Sequence, residues 1–168
     1  FYSTLSHGKF DLISIDECAF LECRNLKNLN LPDSLRIINY ASFRECYHIE
    51  SIYFGTNITI IDQDAFCYIN NLKTINLNEN NSNYSLIKGN LYSKDGKTLI
   101  KYASAKKDKS FVLPDTVEEI NGNAFDGAKY LTKITIPASV KIMGPEAFRH
   151  CKKLKKVNYY YLFLHLFL

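Results

Sequence analysis

A 23-residue period is the feature that most restricts how this chain can fold. Phe20, Phe43 and Phe66 follow one another at steps of 23 residues, and Phe125 and Phe148 repeat the same step. A fixed period of this length is typical of solenoid proteins, in which successive repeats stack along one axis. Because one such repeat is too small to bury its own apolar face, we expect a single continuous array.

The first half of each repeat predicts a short helix. Relative to the phenylalanine, small residues lie at position −1 and, except for Ile69, at position +3, and large apolar residues lie at −5 and +6. This spacing puts the apolar positions on one face of a helix. A residue suited to cap the first turn of that helix precedes each phenylalanine by four positions. These predicted N-cap residues are Asp16, Asn39, Asp62, Asn121 and Gly144.

The second half of each repeat predicts a strand. Apolar residues alternate with polar ones over a few positions, as at Leu29 and Leu31, which indicates a strand with one buried face. Pro32, Pro114 and Pro137 directly follow this strand, where proline ends a strand and favours a turn. One repeat therefore consists of a strand, a turn, an inward-facing aliphatic residue and a helix.

The period is interrupted once, between Leu77 and Leu113. These two residues are 36 positions apart instead of 23, so 13 additional residues enter the array there. Segment 89–102 accounts for them, because two apolar runs flank the tetrapeptide Lys94-Asp95-Gly96-Lys97. Asp-Gly is a preferred centre of a type I′ hairpin turn, so we predict an inserted β-hairpin. The hairpin would either cover the solenoid or present a contact surface.

The repeats also carry a family resemblance. Strings such as AFLECRNLKNLNLPDSL and AFDGAKYLTKITIPASV resemble the leucine-rich repeats of BspA-like surface antigens, over roughly residues 10–160. The resemblance implies an α/β repeat solenoid, specifically a right-handed leucine-rich repeat array. It further implies a concave parallel β-sheet, short helices on the convex side and one inserted β-hairpin. A cell-surface protein that binds other proteins or host extracellular matrix is the function that it implies.

We accordingly predict that residues 1–168 form a single leucine-rich repeat solenoid. Its parts are a partial repeat at 1–14, repeats at 15–77, a hairpin-containing irregular repeat at 78–112, repeats at 113–160 and an apolar tail at 161–168. The first residue is not methionine, which indicates a fragment. The tail is too short to cross a bilayer, which takes about 20 apolar residues. Any membrane attachment is therefore expected to involve parts outside this chain.

The outward positions of the predicted strands are the candidate ligand-binding surface, because a parallel sheet arranges them in straight rows. These rows are polar, with one aromatic residue and with lysines toward the C-terminal end. The predicted concave-face residues are Asn28, Asn30, Ser51, Tyr53, Thr74, Asn76, Lys133, Thr135, Lys156 and Asn158. We expect this surface to contact a protein or glycan ligand, although a polar sheet face also serves solubility alone.

The charge distribution argues against a nucleic-acid partner. The net charge is +4, and lysines concentrate at 106–109 and 152–156. A lysine run is usually a solvated face, and neither arginine–aromatic interleaving nor a known nucleic-acid-binding motif accompanies these runs. We therefore predict no nucleic-acid binding, while an acidic partner such as a sulfated glycan or an anionic membrane surface stays open.

The cysteines and histidines do not indicate catalysis, a metal or a cofactor. Cys23, Cys46 and Cys151 share one repeat position that is predicted to face the core, and the five cysteines form no CxxC motif. His48 and His150 lie close to this position in sequence, so a Cys–His nucleophile is conceivable, but a reactive thiolate needs an open, electropositive setting. The sequence contains no HExxH, GxSxG, GxxxxGK or GxGxxG motif. We predict that the chain is not an enzyme and binds no metal or cofactor.

Two signals bear on the cellular compartment. Three glycosylation sequons begin at Asn57, Asn80 and Asn83, which weakly favours a secreted or cell-surface protein. Unpaired cysteines favour the alternative, a cytoplasmic scaffold of the same fold. A third interpretation is a targeting array attached to an enzyme that lies outside this sequence.

Overall fold

The computed structural model describes residues 11–160, which form short strands connected by turns. The fourteen strands are β1 (Ser14–Ile15), β2 (Asn28–Asn30), β3 (Ile37–Ile38), β4 (Ser51–Phe54), β5 (Ile60–Ile61), β6 (Thr74–Leu77), β7 (Tyr84–Ile87), β8 (Asn90–Ser93), β9 (Thr98–Lys101), β10 (Ser110–Val112), β11 (Glu119–Ile120), β12 (Lys133–Ile136), β13 (Ile142–Met143) and β14 (Lys156–Tyr159). The predicted division into parts stays a prediction, and the tail at 161–168 and most of the segment 1–14 lie outside the described residues.

The main strands form parallel ladders with the register that the period predicts. Leu29 pairs with Ile52 and Ile52 with Ile75, so strands β2, β4 and β6 are each offset by one repeat period. Strands β10, β12 and β14 repeat this arrangement. The parallel sheet is therefore confirmed, but as two three-stranded sheets, because β6 and β10 belong to different sheets.

Each regular turn of the solenoid also contains a second, shorter strand that the sequence pattern does not predict. Strands β1, β3 and β5 form a parallel ladder through Ile15, Ile38 and Ile61. These isoleucines occupy the position that was predicted to precede a helix. Two residues carry too little alternation to indicate a strand, so the signal is not readable from one repeat.

The predicted short helices are wrong, since residues 11–160 contain no helix and the corresponding segments form turns. Left-handed residues interrupt these segments, for example Ala41 with φ 52° and Glu45 with φ 63°. Alternate N–H groups then point along the solenoid axis: the Phe20 N–H donates to the Ser42 carbonyl, and the Phe43 N–H to the Ala65 carbonyl. Because these donors bond the next turn, an i→i−4 helical ladder does not form.

The core consists of two clusters of buried residues, and aromatic rings stack along each of them. Phe20, Phe43 and Phe66 stack with centroid distances of 5.1 and 5.3 Å, and Phe125 stacks on Phe148 at 4.8 Å. Tyr102 precedes Phe125 by one full period, and its ring packs 5.0 Å from that of Phe125. The irregular repeat therefore supplies the first ring of the second stack.

The inserted segment forms an antiparallel meander. Strand β8 pairs with β9, which confirms the predicted hairpin, and β8 also pairs with β7 on its other side, which was not predicted. The type I′ assignment at Asp95-Gly96 is wrong, because only Gly96 has a positive φ there. Lys88 and Gly89 both have positive φ, so the turn with two left-handed residues joins β7 to β8 instead.

Candidate functional site

The outward side chains of the first sheet form a polar surface. Asn28, Thr74 and the second-row residues Asn30 and Asn76 are exposed, while Ser51 and Tyr53 are half-buried. The Ser51 hydroxyl donates to Asn28 Oδ1 over 2.7 Å, which holds two neighbouring strands' side chains together. The predicted rows are thus present, and Asn30, Tyr53 and Asn76 are direct neighbours across the ladder.

The second sheet carries the basic part of the predicted surface. Lys133 and Lys156 are exposed and paired in register, and Asn158 is half-buried. Thr135, by contrast, is buried, which argues against a direct contact between its side chain and a ligand. It lies in the central strand of this sheet, paired with Val112 on one side and Asn158 on the other.

Two outward residues of this sheet were missed. Ser110 and Val112 pair with Lys133 and Thr135 respectively, and both are exposed, Val112 by 53%. Their positions lie one period before Lys133 and Thr135, so counting one repeat period back along the sequence would have identified them. We call the outward side chains of β2, β4, β6, β10, β12 and β14 the outer face. It comprises two separate groups, with Tyr53 on one sheet and the lysines on the other.

A second concave feature lies among the turns that replace the predicted helices. It is a groove of about 570 Å³ that we call the turn-side groove. It is lined by Tyr47, Tyr68, Asn70, Gly127, Lys129, Tyr130, His150, Lys152 and Lys153. The sequence did not indicate it, because it joins repeats that are separated by the irregular segment.

Asp126 organises the base of this groove. Its carboxylate is 1% exposed and accepts a hydrogen bond from the Tyr68 N–H over 2.8 Å. Its other oxygen lies 2.9 Å from His150 Nδ1. The rings of Tyr68 and His150 are consequently held 5.3 Å apart. Gly127 has a φ of 69°, and a Cβ at this position would collide with the Asn70 side-chain amide, so only glycine fits here.

The thiols are poorly suited to nucleophilic chemistry. Burial raises the pKa of Cys46 to about 11, of Cys67 to about 12 and of Cys151 to about 11, so these thiols are protonated at neutral pH. Cys46 and Cys151 donate to the carbonyls of Phe20 and Phe125.

The shared inward position of the cysteines holds for Cys46, which is buried. Cys151 is only partly covered, and Cys23 is exposed. Cys23 lies in the first described turn, which packs on one described neighbour rather than two. All five cysteines are free, and residues 11–160 contain no cluster of His, Cys, Asp and Glu that could hold a metal ion. The same residues include no helix long and apolar enough to cross a membrane.

The three sequons differ in how their asparagine amides are engaged. The Asn57 amide donates to the Asp33 carbonyl, and the Asn83 amide donates to the Ile58 carbonyl. Asn80 is exposed, and its backbone N–H donates to Asn78 Oδ1. Asn57 and Asn83 thus have structural roles within the turns.

Comparisons with known proteins agree with this architecture. The chain is similar over 83% of its length, at 26% identity and TM-score 0.69, to a leucine-rich cell surface protein from Faecalibacterium prausnitzii. It is similar over 79%, at 23% identity and TM-score 0.69, to the pneumococcal vaccine antigen PcpA. A leucine-rich repeat protein from Eubacterium ventriosum aligns over 89%, at 19% identity and TM-score 0.60. The chain covers 43%, 39% and 58% of these three structures.

The family assignment rests on the repeats themselves. A comparison with curated proteins gave no match. The profile of the BspA type leucine-rich repeat region matches residues 3–96 and 97–162 in six copies. The chain therefore belongs to the BspA-type leucine-rich repeat family.

Proposed function

We propose that this chain is a non-catalytic protein-interaction module of a cell-surface protein, and that it binds its partner through the outer face. The observation that carries the proposal is the register of the two ladders. It places polar side chains in rows, with Tyr53 between Asn30 and Asn76 and with Lys133 beside Lys156. A rigid sheet that orders its side chains before binding loses little conformational entropy when a partner docks.

The surface location is supported by the relatives. One similar structure is described as a leucine-rich cell surface protein and another as a vaccine antigen. We propose extracellular matrix proteins as the partner class, because the outer face offers amides, hydroxyls and lysines to an extended polar surface. Aromatic residues dominate many protein interfaces, so Tyr53 is the expected anchor on the first sheet.

A binding experiment tests the outer face. Beads that carry the chain would be applied to reconstituted basement-membrane matrix, and adhesion would be counted for the wild type and for Tyr53→Ala combined with Lys133→Glu. We expect the double variant to lose most adhesion. A matched control is Tyr160→Ala with Lys27→Glu, since both residues are exposed and neither lies on the outer face. Equal adhesion of the double variant and the wild type would rule out this surface.

One observation favours a second candidate, an intracellular scaffold of the same fold. Five cysteines without a disulfide are unusual for a secreted protein, because oxidising compartments pair exposed thiols. Antibody labelling of intact, unpermeabilised cells separates the two candidates. Labelling of intact cells supports the surface module, whereas labelling that needs permeabilisation supports the scaffold.

A further inference from the structure

The turn-side groove shares no lining residue with the outer face and has a different chemistry. Three tyrosines and a histidine contribute rings, three lysines contribute charge, and no carboxylate belongs to its lining. The nearby Asp126 is buried, and its carboxylate is hydrogen-bonded to the Tyr68 N–H and to the His150 ring. The groove's volume of about 570 Å³ lies within the range of about 300–1,000 Å³ that is typical of small-ligand pockets.

Two of the groove's tyrosines are restrained by hydrogen bonds, and the third is accessible. Tyr47 donates its hydroxyl to Glu45 over 2.8 Å, and Tyr68 is held through its backbone by Asp126. Tyr130 is 38% exposed, with Lys153 Nζ 5.1 Å from its ring centroid. A ligand that contacts Tyr47 or Tyr68 therefore meets a side chain that is already restrained, which reduces the entropic cost of binding.

The lysines of the groove are available to an anion. Lys129, Lys152 and Lys153 are all exposed. Within residues 11–160, none of the three forms an ion pair, although seven pairs occur outside the groove and His150 pairs with Asp126 at its base. Lys129 donates to the neutral side chain of Asn71, and Lys153 lies over Tyr130. Their positive charge is thus not compensated by a neighbouring carboxylate.

We propose that the turn-side groove is a binding site for an acidic oligosaccharide. The negative face of a tyrosine ring attracts the weakly positive C–H groups on the flat side of a sugar. The lysines beside the rings then bind the carboxylate or sulfate groups of the same sugar. This arrangement combines a flat apolar contact with a cation a few ångströms away, as at Tyr130 and Lys153.

Two other anionic partners fit the groove less well. A nucleic acid needs cations that follow its backbone over several nucleotides, and nucleic-acid-binding domains typically have a pI above about 9, whereas this chain has a pI of 8.7. An acidic peptide would use the lysines but leave the exposed Tyr130 ring without a matching flat surface. Both classes serve as outcomes of the test below.

Calorimetric titration of the whole chain at low salt tests the proposal with defined probes. A chondroitin sulfate tetrasaccharide supplies sulfate and carboxylate, a hyaluronan tetrasaccharide supplies carboxylate alone, and neutral chitotetraose supplies neither. Hexaglutamate and a short oligothymidylate represent the peptide and nucleic-acid classes. We expect one or both acidic sugars to bind and the neutral sugar to bind at least about tenfold more weakly, because charged hydrogen bonds are lost.

Matched variants locate the binding site. Tyr130→Ala is expected to weaken acidic-sugar binding by about fivefold, and Lys152→Ala combined with Lys153→Ala by about tenfold. Tyr53→Ala and Lys133→Ala on the outer face replace the same residue types and are expected to leave sugar binding unchanged. This control separates the groove from the proposed function, since the outer-face variants should reduce matrix adhesion while they leave the binding of defined acidic sugars unchanged.

Three results would overturn the proposal. The first is a failure of both acidic sugars to bind the wild-type chain. The second is equal or tighter binding of hexaglutamate or oligothymidylate, which would assign the groove to another ligand class. The third is unchanged sugar binding in the Tyr130 and lysine variants while their thermal unfolding matches the wild type.

Discussion

The regular turns and the irregular turn stack in the same array, but their strands are arranged differently. In the regular turns every main strand and every phenylalanine is offset from the next by one repeat period. In the irregular turn the extra residues form the β7–β9 meander, whose strand β9 pairs in parallel with β11. The turn side stays connected across it: Tyr102 packs on Phe125, and the Ser104 hydroxyl donates to the Ile69 carbonyl over 2.9 Å.

This difference shows that an insertion can be absorbed on one side of a solenoid while the other side remains continuous. Tyr68 and Asp126 are 58 residues apart in sequence but are directly hydrogen-bonded. Asn123 and Asp64 form a second bridge over 2.7 Å. We call this contact between the two regular parts the junction. It combines these side-chain bonds with backbone bonds through the irregular repeat, in which the Ala105 N–H donates to the Leu72 carbonyl and the Lys129 N–H to the Ser104 carbonyl. Variants of the side chains test the comparison.

The largest effect is expected for Asp126→Ala. It removes a buried acceptor from the Tyr68 N–H and from His150. Burial lowers the pKa of Lys101, and the negative charge of Asp126 partly counteracts this lowering. The variant also loses that charge. We expect the free energy of unfolding to fall by about 3 kcal/mol in urea titrations. Asp64→Ala, which removes the half-buried bridge to Asn123, is the control and should cost about 1 kcal/mol. Equal losses for the two variants would contradict the special role of Asp126.

Thiol labelling tests whether the turn side is as closed at the junction as within the regular turns. At pH 8, Cys18 and Cys23 are exposed and should react rapidly. Cys46 lies in a regular turn and Cys67 beside the junction, and both should react at least about 100-fold more slowly because burial keeps them protonated and covered. Peptide mapping after timed alkylation measures each rate. Fast labelling of Cys67 with slow labelling of Cys46 would show that the junction opens.

Gly127→Ala probes the junction at the backbone. The new methyl group would occupy a left-handed position and collide with the Asn70 amide, so we expect a loss of about 2 kcal/mol in thermal or urea unfolding. In the double variant with Asn70→Ala the collision disappears, and about 1 kcal/mol of backbone strain should remain. Glu45→Ala keeps a β-carbon at the equivalent left-handed position of a regular turn and should change stability little. A Gly127→Ala chain as stable as the wild type would refute the close packing of Asn70.

The smallest effect should have the opposite sign. Tyr102 occupies the phenylalanine position of its repeat and packs on Phe125, and its buried hydroxyl has no hydrogen-bond partner among the described residues. Tyr102→Phe restores the repeat residue and should stabilise the chain by about 0.5–1 kcal/mol in urea titrations. The reverse change in a regular turn, Phe43→Tyr, buries a hydroxyl in a filled core and should destabilise it. A loss of stability in Tyr102→Phe would indicate a partner for that hydroxyl.

The sequence predicted the features that depend on the period. The pairing of Asn28 with Ser51 and of Lys133 with Lys156 follows from counting one period along the chain, and so does the polar outer face. The turns were mistaken for helices because i, i+1, i+4 and i+7 spacing also fits a compact turn whose inward residues stack on the next repeat. The choice between them depends on left-handed residues such as Ala41 and Glu45, types that seldom adopt that conformation.

The turn-side groove and the burial of Thr135 were beyond sequence analysis for another reason. The groove needs Tyr47 and Tyr130 on the same surface, and their proximity depends on where the meander lies. The burial of Thr135 differs from the exposure of Lys133 in the same strand, although both positions alternate outward in the sequence pattern. Neither property follows from the repeat period, because each depends on distances between residues that only the folded chain determines.

The axial hydrogen bonds of the turns have an electrical consequence. The Glu22 N–H donates to the Arg44 carbonyl, which shares a peptide group with the Glu45 N–H. The Glu45 N–H donates to the Cys67 carbonyl, which shares a peptide group with the Tyr68 N–H. The Tyr68 N–H in turn donates to the Asp126 carboxylate. Peptide dipoles that are aligned head to tail add up, as they do in a helix, and leave a partial positive charge at the N–H end. The Asp126 carboxylate lies at that end. It therefore neutralises the positive pole of a dipole that runs across successive turns, in the way that an acidic residue does at the start of a helix.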